Sequence, residues 1–516
     1  MTLAHRLRPL VLRSAAALAL LSAAGAAQAQ TGALDPVAAK PADPAPTTTY
    51  RVQPPAPRLP MPALRRDQAE RLLATLDEAP GHGFSPAEFR TDEVRALLAS
   101  GDPRGQAELV ELTVRYAAAQ RGQRINPLSV SKNWSVTPAP FDAHNELATA
   151  LQQDKLDTWL ASLPPPYGGY RALRGALGRY REIAAAGGWP RVADGPPLRP
   201  GASDARVPAL RRRLQAEGYV VGQGTGTTYD SALVDAVKRF QLRRGLGSDG
   251  VVAAGTLAEL NVSAERRAGQ IEANLERWRW LPRKLPSSRI EVNLPTAMLD
   301  LYRGSDIPST MRVVVGGPKH NTPMMTAEVQ AVTFNPPWNV PHSIVKNEIA
   351  PKLARDPGYL ARESLKVVGK HGDGLPMLQQ AAGPKSALGR VKFESPNEFA
   401  VFLHDTPSRG GFSRRERLLS HGCVRLERPL ELAKLVLEGN PEWPEERMQE
   451  AIASGKTVRV GLPEPIPMYL LYWTAFVDPQ GGVNFRDDIY DWDQRLVAAL
   501  ADQSRSLAAA KDILGS

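Results

Sequence analysis

The chain has 516 residues, 42% of them hydrophobic and 23% charged, with a formal net charge of +10 and one cysteine. That length accommodates two to four domains, and the balance is ordinary for soluble globular protein. The single cysteine excludes an internal disulfide, and the dispersed basic residues, with no nucleic-acid motif among them, exclude a nucleic-acid binder.

Residues 1–29 read as an export signal. Arg6, Arg8 and Arg13 precede an apolar stretch from Ser14 to Ala24, and Ala27-Gln28-Ala29 supplies a small-x-small cleavage site. About 20 apolar residues are needed to span a bilayer, so cleavage after Ala29 is favoured over a retained anchor. Loss of the three arginines takes the charge from +10 to +7, a basic balance suited to an anionic polymer such as a cell wall. No later segment is apolar enough to cross a membrane, so a periplasmic or cell-envelope protein is expected. Residues 30–62, rich in Ala, Pro and Thr, form an extended linker.

Helical spacing begins at Ala63, with Ala69, Leu72, Leu73 and Leu76, then Leu109, Leu112 and Tyr116, then Leu173, Leu177 and Tyr180. Residues 63–190 are read as a helical scaffold domain. Residues 191–264 form a smaller module, with stripes at Val207, Leu210, Leu214 and at Leu233, Val237, Phe240. Periodicity alone leaves this a plain three-helix spacer. The succession Phe240-Gln241, Gly245-Leu246, Asp249-Gly250, Thr256, Leu260-Asn261 resembles peptidoglycan-binding domains of wall hydrolases, which implies contact with the cell wall.

A connecting helix at 265–287 leads into short alternating strands from Ile290 onward, a β-rich domain over 288–463. Phe334 to Pro341 carries three prolines and reads as a shaped loop. Trp338 and Asn335 on it are candidate substrate contacts, with Trp338 as a core plug the alternative. Residues 342–390 interrupt the strands with Gly- and Lys-rich helical pieces; His371 there reads as a loop histidine. The run Phe399 to Leu403 reads as a strand delivering His404, and residues 464–516 as an extension packing back on the β-rich domain.

The chemistry centres on Ser420-His421-Gly422-Cys423-Val424-Arg425. His421 and Arg425 can place positive charge near the thiol and favour the thiolate, and Gly422 lets a carbonyl approach. A Cys/His pair with His404 would be a nucleophile and its base. The residues alone leave equal room for a small buried cysteine that only packs. A metal site of Cys423, His421 and His404 does not fit zinc patterns, having one cysteine and no carboxylate at ligand spacing.

His404-Asp405-Thr406 with Ser420-His421-Gly422-Cys423-Val424-Arg425 resembles the active-site signature of the L,D-transpeptidase family, and the resemblance extends over residues 63–495. It implies a multidomain α+β protein: scaffold, three-helix peptidoglycan-binding-like module, and β-rich catalytic domain with 342–390 as an inserted lid. It further implies a cysteine acyl-enzyme with no cofactor and no metal, Cys423 as nucleophile and His404 as general base. Gly422, His421 and Ser420 would support the oxyanion and the turn, and Arg425 would hold a substrate carboxylate or brace the loop. The partners implied are peptidoglycan stem peptides as donor and acceptor, and other wall-synthesis proteins. The reaction implied is 3→3 cross-linking, with L,D-carboxypeptidase action or lipoprotein attachment as alternatives, and carbapenems as acylating inhibitors. A non-catalytic wall-binding protein is the reading from another class, opposed by the intact Cys423 and His404.

Overall fold

The computed structural model describes residues 57–304 and 307–514. The expected export signal and most of the linker lie outside the described residues.

The N-terminal part is helical because its apolar residues recur on one face per segment. Helices Arg66–Asp77, Thr91–Ala99, Pro103–Ala118 and Ala143–Gln152 close over one core. Leu72, Leu73 and Leu76 meet Leu109, Leu112, Tyr116 and Leu147 there. Asp102 and Asp142 start two of the helices by accepting the backbone N–H groups of Arg104 and Asn145, a capping bond worth about 1 kcal/mol.

The module has helices Val207–Ala216, Ser231–Arg243 and Ala254–Leu260 around Leu210, Leu233, Val237 and Phe240. Its signature residues are spent on its own fold. The Gln241 amide donates to Asp249, Val251 and Thr256 and accepts from the Gly250 N–H, and Phe240 is fully buried.

After helix Ala264–Arg279 come the strands β1 (Arg289–Asn293), β2 (Met298–Tyr302), β3 (Ser309–Gly316) and β4 (Met325–Phe334). A small separate sheet follows, made of β5 (Trp338–Asn339), β6 (Leu365–Lys370) and β7 (Pro376–Gln380) in the order β5-β7-β6. With short helical pieces between, it encloses its own cluster of Val340, Val345, Ile349, Leu365 and Leu378. The main sheet resumes with β8 (Val391–Glu394), β9 (Leu403–His404), β10 (Leu418–Ser420), β11 (Val424–Leu426) and β12 (Val458–Leu471).

Strand pairing turns this sheet into a barrel. The order runs β3-β11-β9-β8-β4-β12-β1-β2, and β2 pairs back onto β3. β10 continues the same edge of β3 that β2 leaves, joining at Val315 and Gly316. Side chains alternate across a strand, so one set fills the barrel: Ile290, Val292, Leu299, Val313, Val332, Phe393, Leu403, Val424, Leu426, Met468 and Leu470, all essentially inaccessible to solvent. The other set faces outward. β12 pairs with β4 at both of its ends and with β1 at 468–471, so the domain boundary expected at 463 falls inside a barrel strand. Pro463 and Pro465 lie where its register shifts, between Gly461 and Ile466, a bulge position that tolerates missing N–H donors.

Beyond the barrel come a hairpin, β13 (Ala475–Val477) with β14 (Val483–Phe485), and helix Trp492–Leu514. Among the described residues no helix is long and apolar enough to cross a membrane.

Buried ion pairs join these parts. In the module, Arg213 and Arg244 converge on Glu217, which also accepts from the Tyr180 hydroxyl of the scaffold at 2.5 Å. Glu259 of the module pairs with Arg267 of helix Ala264–Arg279, and Arg277 of that helix pairs with Asp493 at 2.6 Å.

Candidate active site

The stretch 420–423 crosses the end of β3, because β10 and β11 lie on opposite edges of that strand. The Ser420 hydroxyl closes the turn, donating to the Cys423 carbonyl at 2.5 Å and accepting the Gly422 N–H at 3.1 Å. Gly422 has φ +115°, a backbone conformation open to glycine and strained for a side chain. A second chain of bonds holds the turn from below. Thr322 Oγ1 donates to the Gly422 carbonyl at 2.7 Å and accepts the Gly316 N–H at 2.8 Å. The Tyr490 hydroxyl, from the C-terminal segment, donates to the Gly316 carbonyl at 2.7 Å and accepts from the Thr322 N–H. Gly316 has no room for a side chain, since a Cβ there would lie 2.0 Å from the His320 carbonyl oxygen. The Gly422 N–H is engaged by Ser420, while the neighbouring Cys423 N–H has no hydrogen-bond partner among the described residues.

Strand register places the chemistry on the outer face of the barrel. Thr333 of β4 lies opposite Lys392 of β8, Lys392 opposite His404 of β9, and His404 opposite Arg425 of β11. These partners share one face, and Cys423, two residues before Arg425, falls on it too. A diagonal neighbour on the adjacent strand is about 7–8 Å away, within reach of longer side chains. His404 Nδ1 donates to the Asp405 carbonyl at 2.5 Å, so its Nε2 carries the lone pair a base needs. The Cys423 sulfur lies 4.0 Å from the Ala400 carbonyl.

The site is built for neutral partners. Burial pushes the His404 pKa down to about 3, the Arg425 charge adds to this, the Asp405 carbonyl opposes it, and Lys392 lowers it further. Burial pushes the Cys423 thiol up, against the Phe402 backbone N–H and the Lys392 and Arg425 charges, which favour the thiolate. Both shifts disfavour a standing thiolate–imidazolium pair.

The sequence-derived candidates divide. Cys423, His404 and Arg425 share a face; Ser420 and Gly422 shape the turn. His421 points outward, its Nε2 2.6 Å from Glu348 on the segment inserted between β4 and β8, and its ring 4.7 Å from that of His320. Trp338 belongs to the small sheet, paired with Gln380. Asn335 is not available to a substrate. It is buried, and its amide donates to the carbonyls of Ala451, Ile452 and Lys456, where helix Glu445–Ala453 ends. The expected strand 399–403 is shorter than read. The Asn397 side chain binds Phe399 and Val401 in a local turn, and Ala400 has φ +52°, so pairing begins only at Leu403. Lys392, Thr322, Tyr490 and Glu348 were not anticipated. For Lys392 the signal was present in Val391-Lys392-Phe393, where a cation alternates with two core residues.

Comparison with known proteins gives three domain matches. Residues 287–443 match the L,D-transpeptidase catalytic domain, residues 62–177 a scaffold domain, and residues 203–260 a domain described as "putative peptidoglycan binding domain". Over 222 residues, 40% of this chain, the sequence is 35% identical to a Haemophilus influenzae protein described as "putative L,D-transpeptidase". That match spans 45% of the relative's own length. Among solved structures, an L,D-transpeptidase from Mycobacterium smegmatis is 14% identical, covering 36% of this chain and 58% of that one, with a TM-score of 0.20. L,D-transpeptidase 3 from Mycobacterium tuberculosis is 12% identical, covering 36% and 61%, with a TM-score of 0.18.

Proposed function

We propose, on the match of residues 287–443 to the L,D-transpeptidase catalytic domain, that this protein forms 3→3 cross-links in peptidoglycan through a Cys423 acyl-enzyme. Cys423 Sγ attacks the carbonyl that joins a meso-diaminopimelate-type residue to the terminal D-Ala of a tetrapeptide stem. The thiol proton passes to His404 Nε2, and the negative charge on the tetrahedral oxygen is met by the Cys423 N–H. One such donor is worth about 3 kcal/mol. His404, made a strong acid by its burial, returns the proton to the leaving amine. The C–N bond breaks, D-Ala departs and a thioester remains. A side-chain amine of a second stem then attacks the thioester, gives its proton to His404, and Sγ leaves to be reprotonated.

The observation that carries this reading is the register that sets His404 beside Arg425 on the face that bears Cys423. His421 acts outside the proton path, tying the inserted segment to the nucleophile turn through Glu348. That contact supports reading 342–390 as a lid; Trp338, just before it, packs against the lid's own apolar cluster. The module at 191–264 would hold the enzyme on the wall, in the periplasm. Incubation with a tetrapeptide-stem muropeptide, followed by mass spectrometry, tests the reading. A cross-linked dimer, lost in Cys423→Ala, is the expected product; a trimmed monomer alone would make the enzyme an L,D-carboxypeptidase.

A further inference from the structure

We infer that the acyl donor is recognised through a free carboxylate seated between Lys392 and Arg425, beside the His404 imidazole. This rests on the acyl-transfer reading above and names what that site selects.

The geometry comes from strand register. Lys392, His404 and Arg425 lie directly opposite one another on β8, β9 and β11. Neighbouring strands are about 4.8 Å apart, so two long cationic side chains stand on either side of one imidazole. Among the described residues neither cation forms an ion pair. The carboxylates near them are occupied: Glu394, on the same face of β8, is held by Thr333 at 2.6 Å and Arg459 at 2.7 Å. Asp405 is turned away to Arg409 and to the N–H groups of Arg390 and Thr406. Glu348 is paired with His421. Arg425 keeps its Nε shielded from solvent with no hydrogen-bond partner, and the Lys392 ammonium lies 4.4 Å from the centre of the Phe402 ring.

Two cations without an ion-pair contact on the nucleophile's face, Lys392 feeling only the field of the already engaged Glu394, form a seat for an anion, and the fork of Arg425 suits a carboxylate. In the proposed reaction the carboxylate nearest the scissile bond belongs to the terminal residue that leaves. Its arrival does more than bind. Lys392 and Arg425 both disfavour a charged imidazole and so oppose proton transfer from Cys423. A carboxylate between them cancels that opposition, so the correct donor strengthens the base that acts on it. A donor extended by a residue, or amidated at its end, leaves the cations unanswered.

The test compares single-turnover thioester formation, read by intact mass on the full chain. One donor is a stem tetrapeptide with a free C-terminal carboxylate; the other is the same peptide as its C-terminal amide. The free acid should acylate wild type at least about tenfold faster, because a site built around a polar partner rejects the analogue lacking it. Lys392→Met keeps the apolar stem on Phe402 and should shrink that preference to about threefold or less, chiefly by slowing the free acid. It should also move the acid limb of the pH–rate profile upward, since one charge opposing His404 is gone. Lys392→Arg should restore both. Equal rates for the two donors in wild type would overturn the inference whatever the variants' stability, as would a Lys392→Met enzyme with preference and acid limb unmoved. Failure of wild type to form a thioester with either donor would instead overturn the acyl-transfer reading.

Discussion

Thr322 is far from Cys423 in sequence and donates no group to the substrate, yet its removal should slow acylation. Thr322→Val keeps the side-chain shape and deletes the hydroxyl that bridges the Gly422 carbonyl and the Gly316 N–H. Each of those buried backbone groups then lacks a partner, at a cost of about 1–3 kcal/mol apiece. Part of that cost falls on stability, and part on catalysis. The Gly422 carbonyl belongs to the peptide unit whose N–H is that of Cys423, so freeing the one lets the other rotate off the oxyanion. Losing such a donor outright lowers kcat by about 10²–10³-fold; a donor loosened but present should cost about 10- to 100-fold. Thr322→Ser keeps the hydroxyl and should stay near wild type. The assay is adduct formation with a carbapenem, by intact mass, alongside thermal unfolding. A destabilised Thr322→Val enzyme that acylates at the wild-type rate would refute the link between this bond and the nucleophile turn.

Further outcomes follow from the same geometry. His404→Ala should lose carbapenem acylation about as completely as Cys423→Ala, while His421→Ala retains more of it at pH 7; the reverse order of adduct-formation rates would mean that His421 is the base. Alkaline rescue of His404→Ala should need a pH above the range in which an ordinary thiol ionises, because burial pushes the Cys423 thiol up; rescue already complete at neutral pH would contradict this. Acid should destabilise the fold through two buried histidines, His404 with a folded pKa of about 3 and His82 of about 2. Both are depressed from 6.5, so the unfolded chain binds more protons below that value and stability falls with pH. At pH 5 the loss is about 2 kcal/mol for each, visible as a lowered denaturation midpoint; an unchanged midpoint between pH 7 and 5 would contradict it. Glu217→Gln should destabilise by about 3–5 kcal/mol, since it leaves the buried Arg213 without a counter-charge and Arg244 with only the more distant Glu259 at 3.7 Å. A shift in unfolding free energy below about 1 kcal/mol would show water reaching those side chains.

The sequence displayed what is local. The thiol in its turn and the helical stripes at Leu72–Leu76 and Leu233–Phe240 depend on residues a few positions apart. Barrel closure depends on β2 meeting β3 while β12 inserts between β4 and β1, pairings with no periodicity of their own. The row Lys392–His404–Arg425 depends on two such pairings at once, β8 with β9 and β9 with β11, so a lysine in an ordinary strand gave no sign of its neighbours. Asn335 misled for a related reason. An Asn beside prolines suggests a ligand contact, and nothing local reveals that a helix more than a hundred residues later ends against its amide.

The buried charges at the seams have a mechanical consequence. A module slung on a flexible tether samples many directions; one joined through Tyr180–Glu217 and Glu259–Arg267 has a single bearing relative to the barrel. If its surface grips a glycan strand, the strand is presented to Cys423 at one distance and one angle, as work is held in a jig. Cross-links would then be laid down at a fixed spacing from the point of grip. Replacing Glu217 or Glu259 would blur that spacing while leaving the chemistry of each bond intact.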